Sequence, residues 1–340
     1  MLTKRISEPL AWLACALAVS ASALAQEPRQ WLERMNQALT SRNYDGVFSH
    51  WQDGKVEMLR IVHRNQNGQV TERLASLDGS GREFIRTGTE LTCYLPDKRT
   101  VLVETQSGEA GSLLASFPSL DEKSAGFYDI QELTRTRLNR RDTRVIAVTP
   151  HDEFRYGYRL WIDESTAMPL KTQLCDAHGR IIEQVVFASL TLANHIPDSA
   201  FRPEVATAGF QWLRNDPRPV GADAPNTSAL WSALRLPPGF HMTVRSAQLL
   251  PGAHDPVAHL VFTDGLASVS VFVESRSAVL PQNQQPVSGV ANVGSASAFS
   301  TVVDGHKVTA VGEVPPATVR FIASSVQRSA PAVPVAPPGH

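Results

Sequence analysis

The sequence predicts a mainly β protein of the α+β class, and three observations lead to this prediction. Short apolar stretches separated by turn residues run from residue 44 to 192 and again from 240 to 313. One stretch near the N-terminus has a clear helical period. A proline-rich segment separates the two strand-rich regions. Because 340 residues exceed the usual size of about 100–200 residues per domain, we expect two β-rich domains.

The composition excludes two classes of protein. Hydrophobic residues make up 42% of the chain and charged residues 19%, which is typical of a globular protein rather than a disordered one. The 32 basic and 33 acidic residues give a net charge of −1. The chain therefore lacks the basic excess that nucleic-acid binding needs.

The N-terminus has the pattern of a secretory signal peptide, residues 1–25. Lys4 and Arg5 precede an apolar run over 10–19, and Ala25 ends an A-x-A cleavage site. The run is shorter than the ~20 residues of a membrane-spanning helix, so we expect cleavage after Ala25 and a soluble mature protein. The competing interpretation, a lipoprotein modified at Cys15, fits the preceding residues poorly.

Residues 28–40 are predicted to form an amphipathic helix, and an antiparallel sheet is predicted to follow it. Pro28 suits a first helical turn. The apolar residues on one helical face are Trp31, Leu32, Met35, Ala38 and Leu39. The predicted strands are 44–51, 55–64, 69–77, 82–88, 91–95, 99–104, 127–138, 143–149, 156–163, 169–175 and 180–192.

Several of these strands, among them 55–64 and 180–192, have apolar residues on both faces. Both faces of the sheet then need a cover. We expect either one curved sheet wrapped round a helix or a half-closed barrel with a cavity. Residues 106–126 interrupt the strand pattern and are predicted to form a short helical insertion or flap.

The domain organisation follows from the change in composition after residue 195. The first domain is predicted to cover 26–195, a linker 196–231 and the second domain 232–327, with a disordered Pro/Ala-rich tail over 328–340. The second domain is predicted to contain six strands and a final helix after Pro315-Pro316. These strands are 240–250, 257–263, 267–274, 289–294, 298–303 and 307–313.

Two cysteines, Cys93 and Cys175, remain after signal cleavage, in a compartment that permits oxidation. They form either a disulfide that closes a loop of about 80 residues or two separate buried thiols. The residues alone leave both alternatives open.

The chain has no motif typical of an enzyme, a metal site or a nucleotide site. His254 and His259 lack further ligands at metal-binding spacing, and we expect no cofactor. A basic run carries more signal, because it is typical either of an anion or acidic-peptide site or of a charged edge strand. It consists of Arg135, Arg137, Arg140, Arg141 and Arg144.

Strings along nearly the whole mature chain resemble the MucB/RseB family, in that family's order. In the first domain they are Trp31-Leu32 with Met35, Asn43-Tyr44-x-Gly46-x-Phe48, Val148-Thr149-Pro150, and Arg155 to Asp163 followed by Pro169-Leu170-Lys171. In the second domain they are Leu236-Pro237-Pro238-Gly239-Phe240, Asp264 to Glu274 and Val311-Gly312-Glu313-Val314-Pro315. Cys175, where the family pattern leads us to expect an apolar residue, and the long Pro-rich tail depart from the pattern.

The resemblance implies a non-enzymatic periplasmic regulator of the envelope-stress sigma factor. Family members have an N-terminal domain similar to the lipoprotein carriers, an unclosed antiparallel β-barrel over helices, and a smaller C-terminal domain. They bind the periplasmic domain of a transmembrane anti-sigma factor of the MucA/RseA type and protect it from site-1 proteolysis. Lipid-like ligands such as lipopolysaccharide or the acyl chains of lipoproteins are their proposed release signal.

Two sets of residues are predicted to carry these roles. The predicted lining of the lipid cavity is Phe48, Met58, Ile61, Phe84, Leu113, Leu114 and Phe117. The predicted partner-binding residues are Arg135, Arg137, Phe240, Val269, Val271 and Val273, the valines on an exposed strand edge that takes up a peptide. The alternative functions are a periplasmic lipid or lipoprotein carrier and, less favoured by the motifs, a secreted enzyme with an unfamiliar site.

Overall fold

The computed structural model describes most of the predicted secondary structure. The described residues are 28–105, 113–114, 124–215, 227–248, 255–275 and 289–328. The predicted signal peptide, Phe117, His254 and the tail from residue 329 lie outside the described residues.

The first helix, α1, covers 28–41 and confirms the predicted helix. Its five predicted apolar residues are all buried. Because they recur at helical spacing, one face of α1 lies against the first sheet while Glu33 and Arg34 face outward.

In the described residues the first domain contains one sheet of twelve strands. They are β1 (Tyr44–Gln52), β2 (Lys55–Gln66), β3 (Gln69–Ser76), β4 (Glu83–Thr87), β5 (Glu90–Leu95), β6 (Thr100–Thr105), β7 (Tyr128–Leu138), β8 (Arg141–Pro150), β9 (Gly157–Asp163), β10 (Pro169–Cys175), β11 (Ile181–Leu192) and β12 (Gln211–Asn215). The spatial order is β12-β6-β5-β4-β3-β2-β1-β11-β10-β9-β8-β7.

This sheet is an unclosed antiparallel barrel around α1. Neighbouring strands pair antiparallel apart from β12, which pairs parallel with β6. Within the described part of the chain, β7 and β12 end the order and do not pair with each other. One apolar cluster joins α1 to buried residues of β1, β2 and β7 through β11, so the strands from both halves of the order face the same helix.

The outer face of β2 to β6 is covered by residues 196–210. Ile196 and Phe201 pack on Val62 of β2, and Val205 and Phe210 pack on the apolar residues of β4 to β6. This explains why β2 is apolar on both faces. It also corrects the predicted linker over 196–231, since residues 196–215 are part of the first domain. The sequence did not reveal this role, because the segment is rich in proline and covers the sheet largely without regular strands.

The second domain is a smaller sheet with a helix on one face, as predicted. Within the described residues its sheet has the order β14-β15-β16-β19-β18-β17, antiparallel throughout. The strands are β13 (Trp231–Ala233), β14 (His241–Gln248), β15 (Val257–Thr263), β16 (Ser268–Ser275), β17 (Gly289–Val293), β18 (Ala296–Val303), β19 (His306–Gly312) and β20 (Val326–Arg328). The helix, α2 (Pro316–Ser325), buries Val319 and Ile322 against the sheet, and β13 pairs with β20 beside it.

Candidate functional site

An apolar cavity lies where α1, the inner face of the first sheet and the second domain meet. Its volume is about 140 Å³. The apolar and aromatic residues that line it are Met35, Leu39, Leu114, Tyr158, Leu160, Pro169, Leu174, Val185, Phe187 and Leu266. The polar lining residues are Lys171, Thr172, Glu183 and Glu313. An apolar wall with a few polar groups at one side is typical of a small-molecule site.

The alternation of side chains along the strands determines which residues line the cavity. Alternate residues of a strand face the same side of a sheet, so Tyr158 and Leu160 of β9, and Val185 and Phe187 of β11, point together towards α1. Lys171 of β10 lies with its Nζ 4.4 Å from the centre of the Trp161 ring. Trp161 alternates with Leu160 along β9 and pairs with Lys171, so the Lys171 ammonium lies on the outer side of the sheet. Burial lowers the pKa of Lys171.

The second domain closes part of this cavity. Leu266, in the hairpin loop between β15 and β16, is buried in the apolar cluster of the first domain rather than in its own. Glu313, which follows β19, lines the cavity from the same domain. The cavity is therefore bounded by both domains, and a ligand in it would touch both.

Arg155 is the central residue of the contact between the domains. It is fully buried, its Nε lies 3.1 Å from Oδ2 of Asp264, and its guanidinium donates to the Pro238 carbonyl. Its guanidinium carbon lies 4.9–5.4 Å from the ring centres of Phe127, Tyr128 and Phe240. A buried cation needs such a partner and such rings, so this residue fixes the second domain against the first.

Asp264 completes the joint from the second domain. Its Oδ1 accepts hydrogen bonds from the backbone N–H groups of Leu266 at 2.9 Å and Ala267 at 2.7 Å. Its Oδ2 accepts a hydrogen bond from the Tyr128 hydroxyl at 2.8 Å. Burial and the adjacent Asp264 carboxylate raise the pKa of Tyr128, so that hydroxyl keeps its proton and remains a donor.

Gly239 allows the close approach of the two domains. Its φ is 80°, a left-handed conformation that glycine adopts without strain. A β-carbon there would collide with the Phe127 ring. The Leu236-Pro237-Pro238-Gly239-Phe240 string is thus explained by the joint, because it presents a carbonyl and an aromatic ring to Arg155.

A polar network crosses the domain boundary on the other side of the cavity. The Gln52 amide donates to Glu183 at 2.9 Å and to the Ser295 hydroxyl at 3.2 Å, and Ser295 donates to Glu313. His50 Nε2 lies 3.0 Å from the Glu183 carboxylate. This hydrogen bond raises the pKa of His50.

The hydrogen bonds that Glu183 accepts outweigh its burial and hold its pKa below the ordinary value. The carboxylate that receives the interdomain Gln52 contact is therefore ionised at neutral pH.

Of the predicted cavity residues, the structure places Leu114 in the cavity wall. Phe48 and Ile61 are buried in the core of the first domain. Met58 is exposed at the outer end of β2, Phe84 is half-buried on β4, and Leu113 packs beside the core. These five residues lie outside this cavity, because it lies over β9 to β11 rather than over β1 to β4.

The predicted peptide-binding edge is wrong. Val269, Val271 and Val273 are buried in the core of the second domain. Their strand β16 is central, since it pairs with β15 on one side and β19 on the other. Phe240 is buried beneath Arg155 and belongs to the domain joint. An alternating apolar strand has the same pattern at an edge and in the centre, so the sequence did not separate the two.

Arg135 and Arg137 are exposed on β7, an end strand of the first sheet. Arg135 pairs with Glu132 and Arg137 with Asp142. Arg144, on the neighbouring strand β8, also pairs with Glu132 of β7. The basic run is therefore balanced by acidic neighbours, as the charged-edge interpretation predicts.

Cys93 and Cys175 are separate buried thiols, so the disulfide alternative is wrong. Cys93 is on β5 and Cys175 on β10, six strand positions apart in the sheet order. At about 4.8 Å per strand spacing, the path between them along the sheet is far longer than a disulfide spans. Burial raises the pKa of Cys93 to about 11, which keeps its thiol protonated.

Arg155 and Asp264 are the functional candidates that sequence reasoning missed. Both lie within strings that carried the family resemblance, but a lone Arg and a lone Asp 109 positions apart give no local pattern. The sequence marked Asp264-Gly265 only as a hairpin turn. Because carboxylates are common in turns, this gave no reason to assign Asp264 a further role.

Comparison with known protein families gives two matches that together cover most of the chain. The model of the MucB/RseB N-terminal domain matches residues 27–205, and the model of the MucB/RseB C-terminal domain matches residues 225–327. The first model ends within residues 196–210, the segment that covers the outer face of the first sheet.

Individual relatives cover nearly the same length. The chain is similar to the sigma factor AlgU regulatory protein MucB of Pseudomonas aeruginosa, with 31% identity over 96% of this chain and 99% of the relative. It is also similar to the sigma-E factor regulatory protein RseB of Escherichia coli K12, with 29% identity over 87% of this chain and 89% of the relative.

Solved structures show the same two-domain similarity. The complex structure of Pseudomonas aeruginosa MucA/MucB matches with a TM-score of 0.67 and 28% identity, over 90% of this chain and 100% of that chain. A crystal structure of MucB in complex with MucA(peri) matches with a TM-score of 0.65 and 28% identity, over 89% of this chain and 99% of that chain.

Proposed function

The chain belongs to the MucB/RseB family, and from this premise we propose that it binds the periplasmic domain of a transmembrane anti-sigma factor and so restrains an envelope-stress sigma factor. The observation that carries the proposal is the full-length similarity to MucB in complex with MucA. Both domains take part in this similarity, which supports the proposal that this chain binds a partner of the same kind.

The proposed location is the periplasm. A signal peptide over residues 1–25 supports export, since it has the charged, apolar and small-residue regions in order. Among the described residues, no helix is both long and apolar enough to cross a membrane. The anti-sigma factor would then supply the link to the membrane.

The proposed release signal is a lipid-like ligand that enters the cavity of the first domain. The apolar wall suits an acyl chain. A ligand releases the partner if it binds the partner-free arrangement more tightly. Contact of the cavity with Leu266 and Glu313 gives the ligand access to both domains.

A non-enzymatic role agrees with the polar groups of the site. Arg155, Asp264 and Tyr128 bind one another across the domain boundary. Gln52, Glu183 and Ser295 do the same on the other side. These groups are engaged in holding the domains rather than presented to a substrate, so we propose no catalytic residue and no cofactor.

The alternative function, a lipid or lipoprotein carrier, is less favoured by the cavity. A cavity of about 140 Å³ is comparable to one that holds benzene, about 150 Å³. A carrier needs a cavity that holds a whole acyl chain, and the volume of such a cavity is several times larger than this one. A sensor that opens on binding needs no such space.

A proteolysis assay tests the proposal. The periplasmic domain of the host anti-sigma factor is incubated with the site-1 protease, with and without residues 26–340 of this chain, and cleavage is followed by gel electrophoresis. We expect the chain to slow cleavage at least about tenfold and lipopolysaccharide to restore it, because a bound partner withholds its cleavage site. Unchanged cleavage at saturating concentrations of the chain would contradict protection.

A charge-reversal pair examines the proposed partner contact on β7. Arg135→Glu with Arg137→Glu should weaken protection if the exposed basic edge contacts the partner. Arg180→Glu, another exposed arginine paired with a nearby aspartate, is the matched control and should leave protection unchanged. Equal behaviour of the two variants would remove β7 from the partner surface.

A further inference from the structure

The hairpin loop between β15 and β16 sends one side chain into the other domain. Leu266 is 8% exposed, and its neighbours belong to the apolar cluster around α1. It forms part of the cavity wall. The second domain thus contributes a leucine to the first domain's core at the place where a ligand would bind.

The same loop is tied to the first domain through one carboxylate. Asp264 Oδ1 holds the loop in shape through the Leu266 and Ala267 amides. Asp264 Oδ2 holds the loop in place through the Tyr128 hydroxyl and Arg155. Because both oxygens belong to one side chain, a shift of Leu266 by more than a side-chain rotation strains the contacts with Tyr128 and Arg155.

We propose that Leu266 is a plug in the cavity of the first domain: an acyl chain of about ten or more carbons displaces it and thereby loosens the Asp264–Arg155 joint. The proposal rests on the proposed function and deepens it by naming the residues through which a ligand acts. The positioning residues are Asp264, Arg155 and Tyr128, and the displaced residue is Leu266.

The small volume of the cavity supports such a displacement. The volume of about 140 Å³ is close to that of the roughly 150 Å³ cavity that holds benzene. A long acyl chain therefore needs additional space. Leu266 is the lining residue that can leave without unfolding the first domain, since it belongs to the other domain and lies on a loop.

Linkage makes the plug and the ligand competitors. If an acyl chain and the closed joint exclude each other, each weakens the other by the same factor. A change that loosens the joint must then tighten acyl-chain binding. This distinguishes a plug from a passive wall residue, whose removal does not alter the contact between the domains.

The test uses cis-parinaric acid, a fluorescent 18-carbon fatty acid, as the probe. Titration of residues 26–340 should give an affinity that rises about tenfold in Leu266→Ala, since the probe no longer displaces a buried leucine. Asp264→Asn should also raise the affinity, because the amide loses the ion pair with Arg155 while it can still cap the loop. Asp304→Asn, at the second Asp-Gly hairpin of the same domain, and Leu234→Ala, an exposed leucine, are the matched controls and should bind as the native chain does.

The second readout is the distance between the domains. Nitroxide labels at the exposed positions Leu77→Cys and Val302→Cys, in a Cys93→Ala and Cys175→Ala background, report this distance by double electron–electron resonance. We expect a narrow distribution without the probe. The distribution should broaden with saturating cis-parinaric acid, and also in Asp264→Asn without it.

Three results would overturn the plug. They are equal probe affinity in the native chain and Leu266→Ala, absence of probe binding to both, and an unchanged distance distribution at saturating probe. The proposed function is tested separately. A chain that gives the results expected for the plug but does not bind the anti-sigma factor would contradict the proposed function and leave the plug proposal standing.

Discussion

Arg155 shows how a single residue holds two domains in register. A fully buried guanidinium carries a large desolvation penalty, which the ion pair with Asp264 and three facing aromatic rings offset. Such groups contribute less to stability than to the choice of one arrangement over others. Loss of either partner is therefore costly, because it leaves a buried charge unpaired.

His50 gives the contact on the other side of the cavity a pH dependence. The hydrogen bond to Glu183 raises the pKa of His50 above its ordinary 6.5, against the effect of burial, and Glu57 and Glu313 add to the increase. A raised pKa contributes stability below about pH 6.5 that is lost as the pH rises through the raised value. Glu183, whose pKa is lowered, contributes above its ordinary 4.5 and loses this as the pH falls.

The pair is consequently strongest between about pH 4.5 and 6.5. We expect the melting temperature of the native chain to fall more from pH 6 to pH 8 than that of His50→Gln, as measured by circular dichroism. His178→Gln, at an exposed position, should follow the native chain. Parallel curves for native chain and His50→Gln would show that the pair does not contribute.

The two thiols give a chemical check on whether Cys93 and Cys175 are bonded to each other. The chain lacking residues 1–25, unfolded without reductant, should titrate two thiols with Ellman's reagent, since Cys93 and Cys175 are not bonded to each other. The folded chain should react slowly, because burial raises the pKa of both thiols. A chain that titrates no thiol after unfolding would restore the disulfide.

At the scale of elements, strands that end in clear turns could be predicted from the sequence. The segment that covers the sheet from a distant part of the chain could not. Asp53-Gly54 and Asn67-Gly68 adopt left-handed conformations at the turns they predict. Residues 196–215 escaped prediction because they cover the outer sheet face through Ile196 and Phe201 and pair only through β12. Parallel pairing of a short strand leaves no local signal in the sequence.

The position of β16 in its sheet has a testable consequence. Val271→Asp buries a carboxylate in the core of the second domain, which should cost several kcal/mol and unfold that domain. Val244→Asp on β14, an end strand where the valine is 42% exposed, should cost about 0.5 kcal/mol or less. Chemical denaturation followed by circular dichroism measures both. A folded Val271→Asp would contradict the central position of β16.

At the scale of the whole molecule, the cavity and the domain joint form one unit. The sequence predicted two β-rich domains and, as one of two alternatives, a cavity in a half-closed barrel. The structure has two β-rich domains, and its cavity is lined by residues of both. It did not predict that the second domain closes the cavity, because Leu266 belongs by sequence to one domain and by packing to the other. Of the predicted cavity residues within the described part of the chain, Leu114 lines the cavity.

This arrangement connects the family to a physical mechanism. A regulator that holds its partner with both domains is sensitive to anything that changes their relative position. The cavity touches both domains through Leu266 and Glu313, so a ligand in this small apolar site would contact both domains. Regulation then needs no second binding site far from the first.

The most direct measurement is a calorimetric titration of residues 26–340 with the periplasmic domain of the host anti-sigma factor, repeated with lipopolysaccharide present. The account predicts micromolar or tighter binding, with an affinity that falls when lipopolysaccharide is added. Absence of heat, together with absence of a complex on a sizing column, would contradict anti-sigma-factor binding and would bring the lipid-carrier alternative forward.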